Sequence, residues 1–217
     1  MTRTTMIGVA LVLMGLVAGC GADSGPQGGD AVNDMADDTG GDALSPSGCP
    51  ALEVPADWTY PAGPYGGQVG DRMADITLDD CDGNPVRLGD LVGGSDLVLF
   101  NVSAGWCPPC VQETKTMETD VHQAFCKRGL RVFQVLFEDD LGNPATKLFC
   151  KQWRDRFGLT LPVVIDPLFK VKELFTGDVG GQTPLNLLVD HDGVIKFRSA
   201  GPPPTDFTDR IDGLLPK

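Results

Sequence analysis

Apolar and polar positions occur in blocks along this chain, and the blocks predict its main elements. Two runs in the middle of the chain, Leu97–Ser103 and Leu130–Phe137, are almost continuously apolar, as expected for strands buried on both faces. Between them lies a helical stretch at residues 108–127, which Gly129 ends. A strand, a helix and a further strand in this order predict an α/β layer arrangement.

Shorter blocks complete the pattern. Asp82-Gly83-Asn84 and Asp190-His191-Asp192-Gly193 each lie between two short strand patterns, which predicts two β-hairpins. In chain order we predict a hairpin at 75–88, a helix at 144–157 with Pro144 in its first turn, a strand at 161–165, a short helix at 167–175, a hairpin at 185–197 and a helix at 205–214. Residues 49–70 are rich in Pro, Gly and Tyr and are expected to run as looped chain over the domain.

The first twenty residues carry a targeting signal. Arg3 precedes the twelve-residue apolar run Ile7–Ala18. This run is too short for a bilayer span, which takes about 20 residues, but it fits the apolar part of a secretory signal. The run leads into Val17-Ala18-Gly19-Cys20, which resembles the lipobox of bacterial lipoproteins. That resemblance implies a signal peptide at residues 1–19 and lipidation of Cys20. An ordinary cleaved signal with an incidental cysteine is the alternative.

Residues 20–48 differ in composition from the rest of the chain. They contain six aspartates and no Lys, Arg, Glu or aromatic residue, so they cannot bury enough apolar surface to order the chain. We expect a lipidated Cys20 with a disordered tether over 20–48, followed by one domain over 49–217. The whole chain has a net charge of −13, and residues 49–217 hold 24 acidic and 16 basic side chains. This acidity argues against a nucleic-acid partner, because phosphate binding needs a basic face.

The chemistry is concentrated at Trp106-Cys107-Pro108-Pro109-Cys110, which opens the predicted helix directly after a buried strand. Two residues between the cysteines on a helical turn bring the sulfurs within disulfide distance. Cys107 stands at the helix N-terminus, where free N–H groups and the helix dipole favour its thiolate. Cys110 lies one turn further in. This arrangement fits an attacking thiol and a resolving thiol.

Two other interpretations of this cysteine pair are a purely structural disulfide and half of a zinc site. Zinc usually needs four ligands. The only histidines are His122 and His191, and the chain has no second close cysteine pair. We therefore expect no metal and no cofactor, while a structural disulfide stays open.

Together these residues resemble the thioredoxin superfamily, and within it the membrane-tethered TlpA/ResA-type thiol-disulfide oxidoreductases. The resemblance covers about residues 66–215. Besides the cysteine motif it rests on Gly70-Asp71, Asp166, Thr183-Pro184 and the turn at 188–193. It implies a thioredoxin-like α/β fold, in which helices flank a central mixed sheet, with an N-terminal β-hairpin extension.

The same resemblance implies roles for single residues. Pro184 is expected to follow a cis bond and to face the active disulfide as part of the catalytic group. Thr183, through its backbone, and Trp106 are expected to contact substrate. Glu113 matches a glutamate that ResA-like proteins place three residues after the second cysteine, and it is expected to take the proton of Cys110. A solvated helix glutamate is the alternative for Glu113.

Two positions depart from the patterns of the superfamily. Asn101 stands where thioredoxins carry a buried aspartate, and an amide cannot accept a proton at ordinary pH. Lys115 stands where the family often has a proline, so we expect the helix to lack the usual kink.

Four cysteines remain after Cys20 and the close pair, and an even remainder in an exported domain predicts two structural disulfides. Four cysteines allow three pairings. By sequence proximity we favour Cys49–Cys81 and Cys126–Cys150, and free thiols are the alternative.

The predicted function is thiol-disulfide exchange with exported protein thiols or disulfides. Reduction is favoured over oxidation, because no histidine stands between the two cysteines. The expected partners are these substrates, an envelope electron donor and the lipid membrane through the anchor. We expect the domain to lie in the bacterial cell envelope, outside the cytoplasm. Two alternatives are a thiol peroxidase, although Ala104 replaces its hydroxyl residue, and a copper-delivery protein, although the cysteines lack its spacing.

Overall fold

The computed structural model describes residues 48–175 and 181–217. The predicted signal peptide, Cys20 and the predicted tether up to residue 47 lie outside the described residues. The strands are β1 (Thr77–Asp80), β2 (Pro85–Arg87), β3 (Leu97–Ser103), β4 (Leu130–Leu136), β5 (Val163–Ile165), β6 (Leu185–Asp190) and β7 (Ile195–Ala200). The α-helices are α1 (Leu88–Gly93), α2 (Pro108–Thr116), α3 (Lys147–Phe157) and α4 (Phe207–Leu214). A π-helix at Met117–Gln123 and 3₁₀-helices at Cys126–Arg128 and Lys170–Phe175 complete the described elements. None of these helices is long and apolar enough to cross a membrane.

The strands form one sheet in the order β2-β1-β5-β4-β3-β6-β7. β3, β4 and β5 run parallel at its centre, whereas the β1–β2 and β6–β7 hairpins attach antiparallel on either side. Every residue of β3 and β4 is buried, and their side chains alternate between two apolar cores. Phe100 belongs to one core and Leu99 to the other. The predicted mixed α/β sheet with its N-terminal hairpin is confirmed.

The helix after β3 is less regular than predicted. It is α-helical only to Thr116, continues as a π-helix to Gln123 and ends in a 3₁₀ turn. Gly129 closes that turn with a φ of 95°, a conformation that glycine adopts at little cost. The helix changes from α to π directly after Thr116, although Lys115 stands where the family often has a proline.

One predicted helix start is wrong, and one helix was not predicted. α3 begins at Lys147, because the Thr146 side chain caps it by accepting from the Phe149 N–H at 3.2 Å. Pro144 lies before the cap, in a bridge with Glu138, so its placement in the first turn is wrong. Helix α1 was not predicted, because six residues are too few to display a helical period.

The segment before β1 is looped chain laid over the domain. Its contacts are specific: the Trp58 indole donates to the Gly89 carbonyl at 3.1 Å, and the Tyr60 hydroxyl donates to the Met73 carbonyl at 2.8 Å. Tyr60 and Met73 both belong to the main apolar core. The segment is therefore part of the folded unit.

The favoured pairing of the four remaining cysteines is wrong. The disulfides are Cys49–Cys126 and Cys81–Cys150, with Cα–Cα distances of 5.6 and 5.1 Å. Cys81 follows β1, which pairs with β5, and both Cys81 Sγ and Cys150 Sγ lie 3.7 Å from the Val163 carbonyl of β5. Sheet pairing thus brings together residues that are far apart in sequence.

The residues at the start of the described chain are held beside Cys126 by hydrogen bonds from Arg131. The buried Arg131 guanidinium donates to the carbonyls of Pro50, Ala51 and Cys126 at 2.9, 3.3 and 3.2 Å. Burial lowers the pKa of this guanidinium from its usual value. These contacts bring the start of the segment against the Cys126 turn, where the disulfide closes.

Candidate active site

The cysteine motif lies where the central strand β3 gives way to helix α2. Cys107 is the N-cap of α2, and its sulfur accepts from the Cys110 backbone N–H at 3.2 Å. Pro108 and Pro109 have no N–H, so Cys110 supplies the first donor of the helix. The two cysteines form a disulfide with a Cα–Cα distance of 5.3 Å. Both are buried, while the helix end keeps a donor directed at the Cys107 sulfur.

The segment before β6 covers the disulfide from the other side. The Thr183–Pro184 bond is cis, as the resemblance led us to expect. The Thr183 carbonyl oxygen lies 3.5 Å from Cys107 Sγ, and Thr183 Oγ1 lies 3.5 Å from Cys110 Sγ. The same hydroxyl donates to the Val102 carbonyl at 3.0 Å. Thr183 is thus fastened to β3 and touches both sulfurs.

Trp106 is the exposed member of the motif, with 46% of its surface accessible. Its indole N–H donates to Glu138 Oε2 at 2.6 Å, and its ring meets the Phe137 ring edge-on at 6.5 Å between centroids. Phe137 continues into a cluster with Phe169 and Phe175. An aromatic surface therefore borders the disulfide.

Glu113 lies three residues beyond Cys110, on the same face of α2. Burial raises the pKa of its carboxyl from 4.5 to about 7, although the neighbouring amides of Asn186 and Asn101 act in the opposite direction. Asn101 Nδ2 donates to Glu113 Oε2 at 3.3 Å, while Oε1 is buried without a hydrogen-bond partner among the described residues. A carboxyl of this kind can take up or release a proton near neutral pH.

A groove of about 520 Å³ runs along α2 beside this carboxyl. Its lining is mostly proline, from the helix start and from the loop before α4, and consists of Pro108, Pro109, Gln112, Glu113, Thr116, Pro202 and Pro203. A second cavity, of about 530 Å³, lies away from the Cys107–Cys110 disulfide, beside Cys126, Arg128 and Arg131. Of these two cavities in the described residues, the proline-walled groove is the one that reaches the motif.

The two histidines lie away from the disulfide. His122 is buried, with Nε2 3.5 Å from Cys49 Sγ, whereas the exposed His191 packs against Trp58 at 5.8 Å between ring centroids. Within residues 48–175 and 181–217, no three His, Cys, Asp or Glu side chains are grouped to hold a metal ion.

Sequence reasoning missed the polar groups beneath the motif. Besides Asn101, the buried set comprises Ser103, Thr114, Gln134 and Asn186. Their signal is visible in the sequence, since all but Thr114 interrupt otherwise apolar strands. A polar residue in such a strand must find hydrogen bonds inside the protein.

Comparison with known proteins agrees with this geometry. Residues 69–198 match the model of the AhpC/TSA family. The chain is 32% identical over 128 residues to thiol-disulfide oxidoreductase ResA of Geobacillus kaustophilus, which covers 59% of this chain and 67% of that protein. It is 29% identical over 152 residues to ResA of Oceanobacillus iheyensis, covering 68% of this chain and 71% of that protein.

Solved structures show the same fold. A thioredoxin-family thiol:disulfide interchange protein from Chlorobium tepidum superposes with a TM-score of 0.54 at 21% identity, covering 71% of this chain and 97% of that one. The thioredoxin domain of a thiol-disulfide oxidoreductase from Bacteroides vulgatus superposes with a TM-score of 0.55 at 20% identity, covering 69% and 99%.

The sheet order, the cysteine pair at a helix start and the cis bond after Thr183 are those of a thioredoxin-like fold, and the similarity to ResA makes the chain a thiol-disulfide oxidoreductase. The chain belongs to the AhpC/TSA family, and its ResA relatives make it a ResA/TlpA-like member of the thioredoxin superfamily. It therefore carries out thiol-disulfide exchange.

Proposed function

We propose that Cys107 is the attacking sulfur and Cys110 the resolving sulfur of a reductase for disulfides in exported polypeptides. The observation that carries this assignment is the Cys110 N–H donating to Cys107 Sγ at the start of α2. A donor and a helix dipole at this sulfur stabilise negative charge on it in the reduced state. Cys110 lies inside the helix, with the Thr183 hydroxyl 3.5 Å from its sulfur.

The exchange proceeds in two steps. The Cys107 thiolate attacks one sulfur of the substrate disulfide, the substrate S–S bond breaks, and the other substrate sulfur leaves as a thiolate that takes up a proton. Cys110 then loses its proton to Glu113 and attacks Cys107 Sγ. The mixed disulfide breaks, the second substrate sulfur leaves as a thiolate that takes up the proton held by Glu113, and the Cys107–Cys110 bond forms. The substrate gains two electrons and two protons.

Polypeptide substrates fit the surface around the disulfide. The Thr183 backbone borders Cys107, and the exposed face of Trp106 offers a flat apolar contact. No histidine stands between the cysteines, which favours reduction over strong oxidation. An envelope dithiol protein would return the two electrons to the oxidised pair.

We further propose that this domain works outside the cytoplasm, tethered by lipid on Cys20 through residues 20–48. The sequence Val17-Ala18-Gly19-Cys20 after a short apolar run supports the anchor. Two disulfides besides the active pair fit an oxidising compartment. Labelling cells with a radioactive fatty acid tests this proposal: Cys20→Ser should abolish incorporation, and unchanged labelling would contradict it.

Trapping tests the assignment of the two sulfurs. Cys110→Ser should accumulate mixed disulfides through Cys107, visible on non-reducing gels and mapped by mass spectrometry. The matched control is the double variant Cys107→Ser/Cys110→Ser, which should form none. Cys107→Ser should also abolish reduction of insulin disulfides. Adducts that persist in the double variant, or unchanged insulin reduction by Cys107→Ser, would refute the assignment.

A further inference from the structure

A chain of buried hydrogen bonds leads from helix α3 to the carboxyl of Glu113. It starts at Trp153, which is 1% exposed and whose indole Nε1–H donates to Gln134 Oε1 at 3.1 Å. An indole nitrogen only donates, so it fixes which end of the Gln134 amide faces it. The Gln134 NH₂ group must then point the other way, towards α2 and β3.

That NH₂ group has two acceptors. It donates to Asn101 Oδ1 at 3.1 Å and to Thr114 Oγ1 at 2.9 Å. Thr114, having accepted, donates its own hydrogen to the Cys110 carbonyl at 2.9 Å. The Gln134 amide is therefore held at every hydrogen-bonding atom, by groups that cannot exchange roles without losing a bond.

Asn101 takes its orientation from Gln134. Its oxygen accepts from Gln134 and from the Ser103 hydroxyl, the latter at 2.7 Å. Its NH₂ group is thereby turned to the opposite side, where it donates to Asn186 Oδ1 at 2.8 Å and to Glu113 Oε2 at 3.3 Å. One indole N–H thus determines that Glu113 meets an amide donor rather than an amide oxygen.

We propose that Trp153, Gln134 and Asn101 act as positioning residues, an amide relay that holds an N–H towards Glu113 and so sets the pH at which this carboxyl accepts the proton of Cys110. The proposal deepens the function proposed above and rests on Glu113 as the proton acceptor. A donor aimed at a carboxylate stabilises its charged form, whereas a flipped amide would present an oxygen and repel it.

Among the groups around Glu113, amides rather than cations oppose the rise in its pKa. Burial raises its pKa to about 7, and the amides of Asn186 and Asn101 hold it from rising further. Lys115 on the same helix is bound instead to Gln112, at 3.1 Å. The other groups around this carboxyl are Cys110 on its own helix, Pro202 and Pro203 across the groove, and Asp120 further along that side of the helix.

The test is a carbon-13 NMR titration of the Glu113 carboxyl in the oxidised full-length chain, assigned by its loss in Glu113→Gln. Asn101→Leu removes the direct donor and should raise the titration midpoint by roughly one pH unit. Gln134→Leu and Trp153→Phe release the orientation of Asn101 and should raise the midpoint in the same direction by smaller amounts. Trp58→Phe, which deletes an indole N–H bonded to Gly89, is the matched control and should leave it unchanged.

A double variant separates a relay from general loosening of the core. Gln134→Leu added to Asn101→Leu should cause no further shift, because it acts through Asn101. Additive shifts would overturn the relay. It is also overturned if Gln134→Leu leaves the midpoint unchanged, and this variant decides the matter should Trp153→Phe fail to fold by near-ultraviolet circular dichroism. Since the oxidised chain is titrated, these outcomes do not depend on exchange activity. Failure of the trapping experiment would instead remove the proposed function.

Discussion

Two disulfides of this domain are equally buried but have different surroundings. Cys81–Cys150 links the end of β1 to α3 over 69 residues and has the Val163 carbonyl as its polar neighbour. Cys107–Cys110 closes a single helical turn, with a backbone N–H on one sulfur and Thr183 touching both. Burial alone does not separate a structural disulfide from a reactive one. In the assignment proposed here, the difference lies in the Cys110 N–H and in Thr183 beside the sulfurs.

Removing the Cys81–Cys150 disulfide is expected to have the largest effect: it should lower stability and leave activity unchanged. The Cys81→Ala/Cys150→Ala variant is expected to lose about 4 kcal/mol of unfolding free energy, because a loop of this length is no longer closed in the unfolded chain. Its exchange rate per folded molecule should equal that of the wild type. Denaturant unfolding and insulin reduction measure the two quantities. An unchanged unfolding free energy, or an exchange rate that falls with stability, would contradict a purely structural role for Cys81–Cys150.

Glu113→Gln should slow the resolving step at the other disulfide, Cys107–Cys110. In the proposed mechanism the carboxylate form of Glu113 accepts the proton of Cys110, and burial raises the pKa of this carboxyl to about 7. The resolving step should therefore speed up as the pH rises from 6 to 8 in the wild type, and lose this dependence in the variant. At pH 8 the variant should be slower by about 10²-fold. Stopped-flow measurement of mixed-disulfide decay provides the rates, and the Glu138→Gln variant is the control. A persistent inflection near pH 7 would exclude Glu113.

Trp106→Ala is expected to have the smallest effect, and only on large substrates. Loss of the exposed ring should raise the KM for a polypeptide disulfide roughly tenfold. Reduction of a small aromatic disulfide, which needs no such surface, should not change. Leu168→Ala removes another exposed apolar side chain, 77% accessible, and serves as the control. Equal losses on both kinds of substrate would point to damage at the sulfurs themselves.

The sequence predicted the parts of the fold that local patterns encode. β3 was predicted residue by residue, because an apolar run between turn residues leaves little choice of boundaries. The cysteine motif at the start of α2 and the cis bond before Pro184 followed from the motif and the resemblance it carries. The start of α3 was misplaced, since a proline and a threonine cap compete as helix starts and the Thr146 cap prevailed.

Local sequence patterns could not predict contacts between distant parts of the chain. The pairing of Cys81 with Cys150 depends on β1 lying beside β5, and nothing local in either segment indicates that neighbour. The amide relay depends likewise on Trp153 of α3 reaching under β4. Polar residues inside apolar strands marked where such contacts had to exist, without identifying their partners.

The most direct test of the account is a redox titration that follows each cysteine separately. The full-length chain is equilibrated in dithiol buffers of decreasing potential, alkylated, and mapped by peptide mass spectrometry. Cys107 and Cys110 should become labelled together at a potential where Cys49, Cys81, Cys126 and Cys150 remain protected. Opening of either of the other disulfides at the same or a less reducing potential would contradict the assignment of Cys107–Cys110 as the redox-active pair.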